Sequence, residues 1–428
     1  IKLQVINMDK ISVVVSSPVD TYSGYGARSR DFVKALIALG KYDVKLLSQR
    51  WGNTRFGYLE DHEEDDLLVN IIPQMTSAPD IWIQITVPNE FQKVGKYNIG
   101  VTAGIETTLC DKTWIEGINR MDLVLTSSVH SKNVLEETKW DIKDNRTGQI
   151  VETSKSNIPI KVLFEGIDNT KYGVNPNTEF DLSSVKEDFC FLFVGHWLQG
   201  NFGHDRKNVG YMIKSFLETF KNKSKQPALL LKTSHVGSSI IDQDRILKKI
   251  GEIRQSVKGK LPNIYLIHGE VHDTDINNLY NNPKVKAMVC LTKGEGFGRP
   301  LLEFSVVKKP ILTTGWSGHM DFLNNREAFL CGGEIHKLDN SSIQKGVLLP
   351  ESEWFQPDDG QVGAGYKEIY KNYKKWVPLA KQLGFRNSKD FSFESMTKLL
   401  GEILDESLPE FPKQVELNLP KLDLPKLK

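Results

Sequence analysis

The sequence predicts two doubly wound α/β domains in tandem, facing each other across a cleft. Three observations predict it. Short apolar runs alternate with amphipathic helical patterns, the alternation breaks off in a polar stretch at residues 169 to 188 and then restarts, and 428 residues exceed what one ordinary core accommodates.

The first half opens with "KISVVVSSP", a β-branched run that reads as a buried strand. "YGARSRDFVKALIALG" follows as an amphipathic helix closed by Gly40. "YDVKLLS", "DIWIQITVP", "YNIGVTAG", "DLVLTSS" and "IKVLFEG" are further strand-length runs, with helical patterns such as "SVHSKNVLEET" among them. Apolar runs without alternation suit parallel strands covered on both faces. The polar segment "DIKDNRTGQIVETSKSN" at 141 to 157 reads as an exposed insertion.

The second half restarts with "FCFLFVG" and the helix "VGYMIKSFLETFKN". Strand "ALLLKTS", helix "QDRILKKIGEIRQSV", strand "NIYLIHG", helix "DINNLYNN", strand "AMVCLT", helix "PLLEFSVV" and strand "PILTTG" continue it. Further on, "WFQPDDGQVGAGYKEIYKNYKKWVPLAKQLG" and "FSFESMTKLLGEILDE" read as helical. The tail repeats Leu-Pro-Lys-Leu, which excludes regular helix and suggests an extended strap or arm. The expected division is a Rossmann-like domain over 1–187, a second over 188–360, helices over 361–407 packing back toward the first domain, and the tail 408–428.

Composition narrows the function. Hydrophobic residues make up 39% and charged residues 25%, and no apolar run approaches the roughly 20 residues that span a bilayer. With 55 basic and 54 acidic residues the net charge is +1, so no global field commits the chain to nucleic acid or lipid. Cys110, Cys190, Cys290 and Cys331 are scattered without Cys-x-x-Cys spacing, which suggests buried free thiols and a reducing compartment. The first residues lack a signal-peptide pattern, and the expected location is cytoplasmic.

The densest signal is "TKGEGFGRPLLEFS", residues 292 to 305. It follows a strand, and Pro300 marks the start of a helix, so the glycine turn falls at the carboxyl end of a parallel strand, where open α/β sheets bind ligands. Gly294, Gly296 and Gly298 let backbone approach a ligand, and free N–H groups at the helix start favour an anion such as phosphate. Glu295 and Glu303 would repel that anion, but they suit hydroxyl hydrogens. A sugar nucleotide has both: hydroxyls at its ends and a diphosphate between. Asp242-Gln243-Asp244 and Asp273-Thr274-Asp275 match a metal-holding Asp-x-Asp pattern but precede helical patterns, so they read as helix caps. The nine histidines show no His-Glu-x-x-His spacing, and no bound catalytic metal and no cofactor are expected.

"EGFGRPLLE" resembles the Glu-seven-residues-Glu motif of retaining glycosyltransferases of the GT-B fold, in particular the large family numbered four. The resemblance covers most of residues 12 to 405 and is strongest from 283 to 323. It implies that Glu295 binds donor-sugar hydroxyls and Glu303 the nucleotide ribose. The backbone at Phe297, Gly298 and Arg299 would meet the distal phosphate and sugar. "SSPVDTYSGYGARSRDFVKAL" resembles the family's first glycine loop, so Gly24 and Gly26 would bring N–H groups to the diphosphate. "FVGHWLQGNFGHDRKNVGYMIKSF" resembles the opening of its second domain, where Lys207 takes the family lysine's place as diphosphate clamp. Gly195-His196 stands where the family often has Gly-Arg, leaving Arg206 or Lys232 as the second cation.

Glu106 stands where many members have a histidine near the reacting sugar, and Ser317, Gly318 and His319 would line the donor pocket. Asp168 would fix the linker. On this resemblance the first domain is the acceptor side and the second binds a nucleotide sugar, with UDP the expected nucleotide. A narrower resemblance, to glycosyltransferases of tailed bacteriophages, implies a hydroxymethylated pyrimidine in phage DNA as acceptor and the host cytoplasm as location. Transfer to a glycan, lipid or protein, a sugar-nucleotide epimerase on the same fold, and a binding module without catalysis are the alternatives.

Overall fold

The computed structural model describes residues 10–144, 146–235 and 239–411. The first domain carries six parallel strands: β1 (Ile11–Ser17), β2 (Tyr42–Ser48), β3 (Ile81–Ile85), β4 (Tyr97–Thr102), β5 (Leu123–Thr126) and β6 (Ile160–Val162), in the order β2-β1-β3-β4-β5-β6. The second carries β7 (Cys190–Val194), β8 (Ala228–Lys232), β9 (Ile264–Ile267), β10 (Val285–Cys290), β11 (Ile311–Thr314) and β12 (Phe329–Cys331), also parallel, in the order β9-β8-β7-β10-β11-β12. A single parallel bridge from Leu46 to Ile71 extends the β2 edge, and in both strand orders the sheet reverses direction beside its first strand. That reversal is the topological switch point, where such sheets form a crevice.

Burial explains the unbroken apolar runs. Val13, Val15, Ile83 and Val101 on one face of the first sheet, and Val14, Trp82 and Val124 on the other, are all buried under covering helices. Phe191, Phe193 and Leu229 to Leu231 do the same in the second sheet.

Two expectations are corrected. Trp354 to Pro357 is not helical: Glu353–Pro357 pairs antiparallel with Gly333–Lys337, and the helix begins only at Asp359 with Asp358 as its cap. Gly333–Lys337 is exposed along its length and so carries no apolar signal. The helices after 358 also do not all return to the first domain. Asp359–Lys371 and Tyr373–Asp390 bury Val362, Tyr366, Ile369, Trp376 and Leu383 in the second-domain core. Only Phe393–Ser407 reaches the first domain, where Met396, Leu400 and Leu404 join Phe32 and Leu36.

The chain therefore passes between the domains twice, and the two passages are tied together. Ile167 N–H donates to Phe391 O and Phe393 N–H donates to Ile167 O, each at 2.8 Å. Beside them Asp168 Oδ1 accepts from Thr170 N and Oγ1 at 2.9 and 2.6 Å and shapes the linker turn. The 141–157 insertion is a largely exposed hairpin of Lys139–Lys143 and Ile150–Lys155. Of the tail, Leu408 and Phe411 pack on the first domain, and 412–428 lie outside the described residues. All four cysteines are buried and free. No helix among the described residues is long and apolar enough to cross a membrane.

Candidate active site

A cleft of about 1130 Å³ lies between the domains. Loops at the carboxyl ends of strands line it from both sides: Tyr22 to Gly24 after β1, Trp51 and Arg55 after β2, His196 after β7, Ser234 after β8 and Gly269 to His272 after β9. Asp31 and Tyr58 complete the first-domain wall, with Lys232, Tyr280, Arg299 and Glu303 opposite.

Glu295 stands in the turn after β10. Its N–H donates to Ser317 Oγ at 2.9 Å, and its carbonyl accepts from Gly318 N. Lys207 Nζ donates to both carboxylate oxygens, at 2.6 and 2.8 Å. Arg206 Nη1 reaches Glu295 Oε2 and Glu106 Oε1, each at 3.4 Å, and donates to Gly294 O at 3.1 Å. Glu106, Arg206, Glu295 and Lys207 thus alternate in sign across the domain boundary. Burial would raise the Glu295 carboxyl, but Lys207 and Arg206 outweigh it and hold it down to about 2. The void beside this cluster, lined by Lys207, Glu295 and Gly298, is about 10 Å³, too tight to admit more than a water.

Gly298 has φ of 97° and caps the helix Arg299–Val306, a left-handed conformation that glycine adopts freely. One turn on, Glu303 faces the large cleft. Arg299 Nε donates to its Oε1 at 2.9 Å, and Tyr280 OH donates to its Oε2 at 3.2 Å. Arg299 Nη1 also pairs with Asp31 and lies 3.8 Å from Glu165, both first-domain residues. Burial pushes the Glu303 carboxyl up to about 7, against the pull of Arg299.

The residues expected from sequence therefore divide. Gly24, Lys232, Arg299 and Glu303 line the cleft; Glu106, Arg206, Lys207 and Glu295 form the ion cluster beside it. Lys232 Nζ donates to Gly269 O at 2.7 Å, and burial lowers its pKa. Gly24 has open space beside it, as a ligand contact needs. Gly26 does not serve that purpose: its N–H is taken by Ser23 Oγ at 2.9 Å, and a side chain there would meet Thr21 O at 2.2 Å. It packs the turn instead.

Gly296 is a point of domain contact, since a Cβ there would lie 2.2 Å from Ala103 O, and its carbonyl accepts from Ser127 and Ser131 at 3.3 and 3.4 Å. Phe297 turns into the core against Phe322. His319 is fully buried behind Gly298 and bonds Thr314 O at 2.6 Å, so it props the strand end rather than lining the cleft.

Neither Asp-x-Asp pair caps its helix: the caps are Ser239 and His272, and Asp242, Asp273 and Asp275 occupy the first turns. Asp242 is engaged by His235 and His268, at 2.7 and 3.0 Å. Sequence reasoning missed Asp31, Glu165, Tyr280 and the Arg299 side chain. It also missed an aromatic strip in which Tyr58 stacks on His62 and His62 on His272 across the cleft, with centroids 3.8 and 4.8 Å apart. Tyr22, inside the glycine loop, packs edge-on against Tyr58 at 5.0 Å and was the strip's one sequence signal.

The architecture is shared with solved structures. HepE of Anabaena, in complex with UDP and glucose, matches with a TM-score of 0.61 at 12% identity, covering 92% of this chain and 100% of that one. The fold is GT-B. Sucrose-phosphate synthase of Thermosynechococcus elongatus matches at 0.60 and 11%, covering 93% and 99%. A glycosyltransferase of Rickettsia africae matches at 0.59 and 15%, covering 93% and 98%. No protein-family model and no curated protein matches the sequence. In GT-B terms, the Glu303 cleft and the Glu295 cluster both lie where the two domains face each other.

Proposed function

We propose that this chain is a retaining glycosyltransferase that moves a sugar from a nucleoside-diphosphate sugar, with UDP the first nucleotide to test, to an acceptor hydroxyl. The observation that carries the reading is the pair of buried carboxylates at one switch-point turn: Glu303 oriented into the cleft, and Glu295 held between two cations. Each oxygen of Glu303 has one protein donor and accepts another, which suits the vicinal hydroxyls of a ribose. Lys207 has a third donor and Arg206 further N–H groups beyond those given to Glu295, so once the domains part enough to open the small void beside them, both can meet a diphosphate while still orienting that carboxylate. HepE binds UDP and glucose on the same fold, which supports this donor class.

In the reaction the acceptor oxygen bonds the anomeric carbon as the bond from that carbon to the diphosphate breaks. The electron pair leaves with the diphosphate, which takes the acceptor's proton, on the same face of the sugar for retention. Lys207 and Arg206 stabilise the charge that develops there. Transfer is proposed to need no metal, because these cations do that work and Asp242 is engaged by His235 and His268. Turnover lost in chelator and restored by manganese would overturn this.

Acidic side chains outnumber basic ones along the cleft, which favours a small polyhydroxylic acceptor over a DNA strand entering it. DNA with hydroxymethylated pyrimidines remains the second acceptor to assay, and transfer to it should fall steeply with salt. The deciding experiment is mass spectrometry after incubation with mixed nucleotide sugars and both acceptor types. An acceptor gaining one sugar supports the proposal. Donor isomerised without acceptor would make the chain an epimerase, and no nucleoside diphosphate released from any mixture would leave a binding module.

A further inference from the structure

Arg299 stands at the first position of the helix Arg299–Val306, the end where a cation opposes the helix dipole. Helix physics does not ask for arginine there, so its reason lies in its partners. Its Nε donates to Glu303 at 2.9 Å, while Nη1 pairs with Asp31, on the first-domain helix Gly24–Ala38. One guanidinium thus holds the cleft carboxylate and the opposite domain together. The other group on Glu303, Tyr280, belongs to the second domain itself.

We propose that Asp31, acting through Arg299 from the opposite domain, is a positioning residue for Glu303. The inference rests on the reading of Glu303 as the ribose ligand. A glutamate released from Arg299 has rotamer freedom to lose when ligand arrives; one already clamped does not. Lysine at 299 would not serve, because a point charge cannot direct two separate donors at two carboxylates as a planar fork does.

The test is calorimetric titration of the full chain with UDP, ADP and GDP in turn. Asp31→Asn, which keeps the shape, should weaken the best-bound nucleotide by about 10-fold, and Arg299→Lys should do the same. In a Glu303→Gln background, Asp31→Asn should change affinity by less than about 2-fold. A plain latch between domains would weaken binding equally in both backgrounds, and equal factors overturn the proposal. Wild-type binding that Glu303→Gln leaves intact overturns it as well. If the wild type binds none of the three nucleotides, the nucleotide-sugar reading falls first and takes this inference with it.

Discussion

Glu295, in the turn, and Glu303, in the helix that follows it, are buried alike, with 5% and 6% of their surface exposed, yet their pKa values shift in opposite directions. Burial pushes both carboxyls up. At Glu295, Lys207 at 2.6 Å and Arg206 at 3.4 Å reverse the effect. At Glu303 the single Arg299 is shared with Asp31 and Glu165, and Asp273 adds negative charge, so burial wins. Two glutamates of one motif thus differ because Glu295 meets two cations and Glu303 a single one that other carboxylates share, not because of depth. Glu295 is a permanent anion, and Glu303 is poised to change charge in the neutral range.

The largest expected effect comes from removing the anion. Glu295→Gln strands Lys207 and Arg206 in a buried site and should cost about 3–5 kcal/mol of unfolding free energy at pH 7, read from urea denaturation. Glu295 has a folded pKa of about 2 against an ordinary 4.5, so its stabilisation is present above pH 4.5 and is lost as pH falls toward 2. The variant's deficit should shrink across that window. A variant as stable as wild type at pH 7 would break the comparison.

A middle-sized effect separates the two glutamates by task. Glu303→Ala should lower nucleoside-diphosphate affinity by roughly 10- to 150-fold, the value of a charge-assisted hydrogen bond, whereas Glu295→Ala should spare that affinity and cut turnover. Calorimetry and initial rates read the two effects, and the reverse order would swap the assigned roles.

The smallest effect sharpens the contrast most. Glu303 has a folded pKa of about 7 against an ordinary 4.5, so the stability it contributes is full below 4.5 and is lost as pH rises through 7. Glu303→Gln should therefore gain on wild type between those values and be more stable by about 1 kcal/mol at pH 8, the usual exchange of stability for function. Thermal unfolding across pH checks it; a Gln variant less stable at pH 8 would mean that Arg299, not burial, governs Glu303.

Much of this was legible in the chain. "ISVVVSS" and "ALLLK" read as strands because parallel strands are covered on both faces and stay apolar throughout. The helix start at Arg299-Pro300 and the two glutamates followed from turn chemistry. The hairpin of Gly333–Lys337 and Glu353–Pro357 was illegible: one strand is wholly exposed and the other borders a helix. Gly26 was misread because a glycine that admits a ligand and one that packs a turn look the same until its neighbours are placed.

The sequence by itself determined where strands and helices alternate, that the chain forms two α/β domains, and which turn carries paired carboxylates, because apolar run length, helix starts and glycine turns are local properties. Only the tertiary structure decided which cations each carboxylate meets and whether Gly24 or Gly26 faces the cleft. Lys207 reaches Glu295 across 88 residues of chain, and Arg299 reaches Asp31 across 268. Charge state depends on distance and burial in space, and over such separations the linear order of residues carries neither.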